Sequence, residues 1–170
     1  MIRNLIKQPY LDGHFYYTPV RWYGANGERI IGPCYTGDQM WEQADRTREG
    51  EFIILVEGIS DEGLLTVLCG DKSICPGTIT LGNIDARYRK KPSMVPAYLR
   101  PVISKQVAHA VLQDVFAELE VLYQTGMKVV CPDGKVRQGR PILSGWLSDF
   151  MEIVKLFCIN KDSCPVCSSP

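Results

Sequence analysis

The run Phe52-Ile53-Ile54-Leu55-Val56-Glu57-Gly58-Ile59-Ser60-Asp61 constrains this chain more than any other stretch. Its apolar residues are continuous rather than spaced at helical intervals, so it reads as a buried strand that carries an acid, Asp61, at its end. Two further β-rich segments follow, Leu64 to Cys69 and Thr78 to Ile84, reached through the turns Asp61-Glu62-Gly63 and Gly70-Asp71-Lys72-Ser73. Three strands joined by short turns predict an antiparallel meander. A helix to cover it is expected from Ser104 to Thr125. Val107, Val111, Val115, Leu119 and Leu122 recur there at helical spacing, Ser104 is a natural N-cap, and Gly126 stands where a left-handed C-terminal residue is wanted. The expected fold class is α/β (α+β).

The rest of the chain is arranged around that core. At 170 residues and 45% hydrophobic, the sequence can bury one core, or a core with an appendage. Residues 1–50 are an aromatic, turn-rich extension, with Tyr10, Phe15, Tyr16, Tyr17, Trp22, Tyr23, Tyr35 and Trp41 set among Asp12-Gly13 and Asn26-Gly27. Asn26-Gly27 between two β-rich runs predicts a hairpin, and Gln39 to Arg48 predicts a short helix. The aromatics are read as packing on the neighbouring core rather than as a platform for bases. Asp85 to Arg100, interrupted by Pro92 and Pro96, is expected to be a loop. A second hairpin is expected around Pro132-Asp133-Gly134-Lys135, its return arm running through Ser148 into Asp149, with a short helix over Met151 to Cys158. Residues 51–157 thus form the core and 158–170 a cysteine-bearing tail.

Charge excludes one easy functional class. Lys+Arg and Asp+Glu number 19 each, so global charge does not advertise a polyanion partner. A local patch does exist at Arg87, Arg89, Lys90 and Lys91. As a site it would contact phosphates, and as a plain loop it would be solvated. No apolar run approaches the roughly 18 residues of a membrane span, and the N-terminus lacks a signal-peptide core. Seven cysteines without such a signal do not make a disulfide framework. A soluble intracellular protein is expected.

Three features carry chemistry. Asp61 and Asp149 each follow a β-rich run ending in Ser, and carboxylates at adjacent strand ends can bridge Mg²⁺ or Mn²⁺, which prefer hard oxygen ligands. Turn or capping roles would also account for both acids, and Asp71, between Gly70 and Lys72, is a rival first acid better read as a solvated turn. Cys164-Pro165-Val166-Cys167 is half of a tetrahedral Zn²⁺ site, to which Cys158 could add a third thiolate; free thiols fit the same residues. His109 stands on the long helix without a second His or Cys beside it and reads as a packing or surface residue.

Taken in order, these motifs resemble the Plavaka transposases, a CACTA-like family of DDE enzymes. Tyr35-Thr36-Gly37-Asp38-Gln39-Met40-Trp41 is similar to the family's TGDWWW-type segment, and Ile59-Ser60-Asp61 to its Ser-Asp strand end. Ile79 to Ile84 with Arg87 and Arg89-Lys90-Lys91-Pro92-Ser93 resembles its LTIGNI…RRKPS signature. Tyr98-Leu99-Arg100-Pro101, Cys131-Pro132-Asp133-Gly134, Pro141 to Phe150 and Cys164 to Cys167 continue the likeness to the C-terminus. Glu62-Gly63 replaces the family's Lys-Thr, and Met151-Glu152 its Pro-Glu.

The resemblance implies a partial ribonuclease-H-like core that cuts and joins DNA with Mg²⁺ or Mn²⁺, acting in the nucleus on transposon ends and target DNA, and pairing with further copies of itself. Asp61 and Asp149 map onto the first two of three acids, Arg87, Arg89, Lys90 and Lys91 onto DNA contacts, and Cys164 and Cys167 onto structural Zn²⁺. A third acid is not found before Pro170, so the chain is expected to be a fragment with little or no catalysis, or a non-catalytic DNA-binding or interaction module.

Overall fold

The computed structural model describes residues 1–60, 63–64, 73–94, 97–100, 105–157 and 159–160. In chain order the elements are α1 (Ile2–Ile6), β1 (Trp22–Tyr23), β2 (Arg29–Ile30), α2 (Asp38–Ala44), β3 (Glu51–Ser60), β4 (Gly63–Leu64) and β5 (Ser73–Leu81). There follow α3 (Ala86–Arg89), β6 (Ala97–Arg100), α4 (Lys105–Thr125), β7 (Met127–Val130), β8 (Val136–Leu147) and α5 (Phe150–Phe157). Short 3₁₀ turns occupy Pro9–Leu11, Cys34–Thr36 and Pro92–Met94.

The opening run is the centre of a mixed sheet. β3 pairs antiparallel with β5 on one side and parallel with β8 on the other, and β7 lies antiparallel outside β8. Its unbroken apolar character follows from cover on both faces. Phe52, Ile54 and Val56 join one core with Leu5, Ile6, Leu11, Phe15, Ile79 and Leu81, while Ile53 and Leu55 join a second with Tyr35 and Met40. Strand alternation sorts them. Each Ile, Leu or Val buried there contributes roughly 1.5–3 kcal/mol.

Parallel neighbours need a long crossover, and α4 supplies it between β6 and the β7–β8 hairpin. Phe116, Leu119 and Leu122 pack α4 onto the first core. Gly126 ends it at φ +71°, its N–H on the Leu122 carbonyl at 2.8 Å. Arg140 of β8 then fastens the helix end: its guanidinium donates to the Tyr123 and Gln124 carbonyls and grips both oxygens of Glu51 at 2.7 and 2.8 Å.

Where β5 stops at Leu81, a side chain takes over its ladder. Asn83, fully buried, accepts from the Leu55 N–H at 2.7 Å and donates to the carbonyls of Ile53 and Tyr16 at 2.8 and 2.9 Å. One amide therefore ties the N-terminal aromatic segment to the central strand. Gly82 beside it has no room for a side chain, since a Cβ would lie 2.9 Å from the Glu57 carboxylate.

Several expectations hold. Trp22↔Ile30 pairing with Gly27 at φ +75° is the predicted hairpin, and Gly134 at φ +76° turns the second. Phe15 and Tyr35 are buried against the cores as expected, whereas Tyr23 stays 59% exposed. The meander needs correction. Of the expected strand Leu64 to Cys69 only Leu64 is described, in β4, where Gly63↔Ile74 and Leu64↔Ser73 continue the register of Ser60↔Gly77 along β5, and residues 65–69 lie outside the described residues. β5 starts at Ser73 rather than Thr78, and the third strand is β6, which pairs β5 from Thr78↔Ala97 to Cys75↔Arg100. The expected loop over 85–100 thus contains α3, a 3₁₀ turn and a strand. Helix α2 ends at Ala44 and α5 spans 150–157, against the expected 39–48 and 151–158.

Candidate functional site

The ends of β3 and β8 lie side by side and point the same way. Their register shifts once: Val56 faces Leu143, but Glu57 faces Gly145, leaving Ser144 as an extra residue in β8. The Ser144 hydroxyl donates to the Val56 carbonyl at 3.1 Å and closes the bulge. Without that extra residue Ser60 would face Leu147. With it Ile59 faces Leu147, and the next residues, Ser60 and Ser148, meet through their hydroxyls at 3.1 Å. The residues immediately before the two predicted acids therefore touch.

Trp146 braces this contact. Its indole N–H donates to the Ser60 hydroxyl at 2.9 Å, and its ring lies over Gly58, where a Cβ would come within 2.2 Å of the ring. Phe116 of α4 meets the indole edge-on at 5.7 Å. Asp149 follows, exposed, between β8 and α5, and its carbonyl accepts from the Ile153 N–H at 3.0 Å to start the helix. Asp61 lies outside the described residues, as do Asp71, Cys158, Cys164 and Cys167; the side chain of His109 does too. Among the described residues no cluster of three or more His, Cys, Asp or Glu forms a metal site.

The four basic residues do not act alike. Arg87 is bound to Asp85 at 3.1 and 3.2 Å, and Asp85 also caps α3 by accepting from the Arg87 N–H. That guanidinium holds the Asp85 carboxyl below the usual carboxylate range. Arg89 turns inward and donates from one nitrogen to both oxygens of Glu57, each at 2.8 Å. Lys90 is exposed, and the Lys91 ammonium sits 4.6 Å and 4.7 Å from the rings of Tyr10 and Tyr88. The outward-facing cations are therefore Arg87, Lys90 and Lys91.

Glu57 is the residue that the sequence reading passed over. It is buried on the central strand and accepts from the Cys34 thiol at 2.7 Å as well as from Arg89. Burial, with the Glu57 carboxylate beside it, pushes the Cys34 thiol up to about 11. A carboxylate within an apolar run always requires a buried cation or donor, and that was the available signal.

Among the described residues no helix is long and apolar enough to cross a membrane. The sequence model of a family described as Plavaka transposase matches the chain over residues 1–100 and 97–170. No curated protein matches the chain, and no solved structure does.

Proposed function

The chain belongs to the Plavaka transposase family, and from that premise we propose that residues 51–157 are part of a ribonuclease-H-like nuclease core. The strand order supports this reading: an antiparallel set β6-β5-β3, a crossover through α4, then β8 parallel beside β3. The observation that carries the functional reading is the Ser60–Ser148 contact, because Asp61 and Asp149 are the next residues in the sequence.

In this proposal Asp61 and Asp149 hold Mg²⁺ or Mn²⁺ through carboxylate oxygens. Bound there, such ions supply Lewis acidity to the attacking and leaving oxygens of DNA phosphoryl transfer. Asp149 offers its carboxylate from the exposed turn into α5. Arg87, Lys90 and Lys91 meet the DNA backbone, while Arg89 holds their segment to β3 through Glu57. Cys164 and Cys167, with Cys158, are proposed as structural Zn²⁺ ligands. The partners are transposon ends and target DNA, and the setting is the nucleus.

With Asp61 and Asp149 as metal-holding acids, the chain is expected to bind Mn²⁺ and to need both carboxylates for any cutting of DNA. A nicking assay on transposon-end DNA with Mn²⁺ tests this directly. Cleavage that persists in both Asp61→Asn and Asp149→Asn would overturn the metal role of the two acids. A second reading, a DNA-binding module without catalysis, draws on the exposed Lys90 and the Arg87 and Lys91 beside it. It requires salt-sensitive DNA binding weakened by Lys90→Ala with Lys91→Ala and indifferent to Asp61→Asn. Binding that ignores salt and both lysines would remove that reading.

A further inference from the structure

We infer that Ser60, Ser148 and Trp146 are positioning residues, a clamp that sets the spacing of the two strand ends for a divalent cation. The inference rests on the proposed role of Asp149 and the residue after Ser60 as metal-holding acids. The paired register of β3 and β8 runs to Ile59↔Leu147, and the hydroxyl contact at 3.1 Å extends it to the residues that precede the two acids in sequence.

The clamp is built rather than incidental. Indole nitrogen is a donor only, so Ser60 accepts from it and uses its remaining capacity towards Ser148. Ser60 is buried, and burial of a hydroxyl is costly unless it is hydrogen-bonded. Two features fix the donor in place. Gly58 gives the indole a flat seat that any larger residue would fill, and Phe116 abuts the ring edge-on. The bulge at Ser144 then supplies the one-residue advance that brings Ser148, and not Leu147, level with Ser60. Each part makes sense if the distance between strand ends matters. Stability alone would be served by apolar residues at these places, as it is from Phe52 to Val56 along the first half of β3.

Groups that orient metal ligands from behind typically alter metal affinity by roughly 10–100-fold when removed. Mn²⁺ titration of the 170-residue chain, followed by the loss of free-ion EPR signal, reads this without any need for catalysis. Ser148→Ala and Trp146→Phe are expected to weaken Mn²⁺ binding by about 10-fold, and Ser148→Thr, which keeps the hydroxyl, to restore it. Leu119→Ala serves as the control: it loosens the core and lowers the melting temperature, with Mn²⁺ affinity unchanged at a temperature well below unfolding. Wild-type binding that is lost in Asp149→Asn but unaltered by Ser148→Ala and Trp146→Phe would overturn the clamp alone. A wild-type chain with no saturable Mn²⁺ binding would overturn the metal reading and the clamp with it.

Discussion

The bulge at Ser144 divides the β3–β8 ladder into two halves of different character. Before it, Phe52 to Val56 lie beside Gly139 to Leu143, and every β3 side chain is apolar and buried. The ion pair of that half, Glu51–Arg140, sits at the strand's beginning and fastens a helix end. After the bulge the same strand carries Glu57, Gly58 and Ser60 beside Gly145, Trp146 and Ser148. Polar atoms there are buried one by one, each with a dedicated partner: Arg89 and Cys34 for Glu57, Trp146 and Ser148 for Ser60. The first half follows the rule that buries hydrocarbon. The second breaks it repeatedly, and departures from a local rule that are individually compensated tend to mark function.

That contrast can be broken at Arg89, where the largest effect is expected. Arg89→Ala strands a carboxylate in the core, and removing one partner of a buried pair costs about 3–5 kcal/mol. Urea unfolding would register it as a lower midpoint. Because the loss comes from the stranded charge, the double variant with Glu57→Gln should recover much of it. If Arg89→Ala instead weakens DNA binding with stability intact, Arg89 faces DNA and the second half of the ladder holds no buried pair.

A smaller effect is expected from the first half, and pH exposes it. The Arg140 guanidinium, with the Arg48 N–H, holds the Glu51 carboxyl at about 2, against 4.5 for an ordinary glutamate. A depressed pKa of this kind gives stability that is fully present above about 4.5 and is lost as pH falls towards 2. Thermal melts across that range should show wild type losing stability and Glu51→Gln, less stable at neutral pH, losing less. Parallel pH curves for the two proteins would mean that the bridge does not anchor α4.

How far the sequence reached follows the same division. β3, the Asn26-Gly27 and Asp133-Gly134 hairpins and the Gly126 helix stop were legible, because each depends on a local pattern or on one glycine at positive φ. β6 was not. Ala97-Tyr98-Leu99-Arg100 follows Pro96 and shows little alternation, and it becomes a strand because β5 has an edge to offer. The Glu57–Arg89 pair joins residues 32 apart, and the Asn83 amide reaches two distant chain segments, β3 and the stretch at Tyr16. Such contacts are fixed by tertiary packing, so no window of sequence contains them. The two Ser-Asp ends were visible as a repeated motif. Their alignment depends on one extra residue in β8, and a bulge leaves no signature as plain as a turn glycine.

The smallest stability effect is expected at Asp149, and it separates the two halves most sharply. Asp149 is exposed, and exposed substitutions away from packed features usually change stability by within about 0.5 kcal/mol. Its carbonyl accepts the Ile153 N–H that starts α5, and Asn keeps both that carbonyl and a side-chain oxygen able to accept at the helix start. Asp149→Asn should therefore unfold in urea like the wild type while losing Mn²⁺ binding. Arg89→Ala should show the reverse when measured below its unfolding midpoint: a large stability loss, with Mn²⁺ still bound. A stability loss above 1 kcal/mol in Asp149→Asn with Mn²⁺ affinity retained would make the acid a helix-start residue, and the second half of the ladder would then be structural throughout.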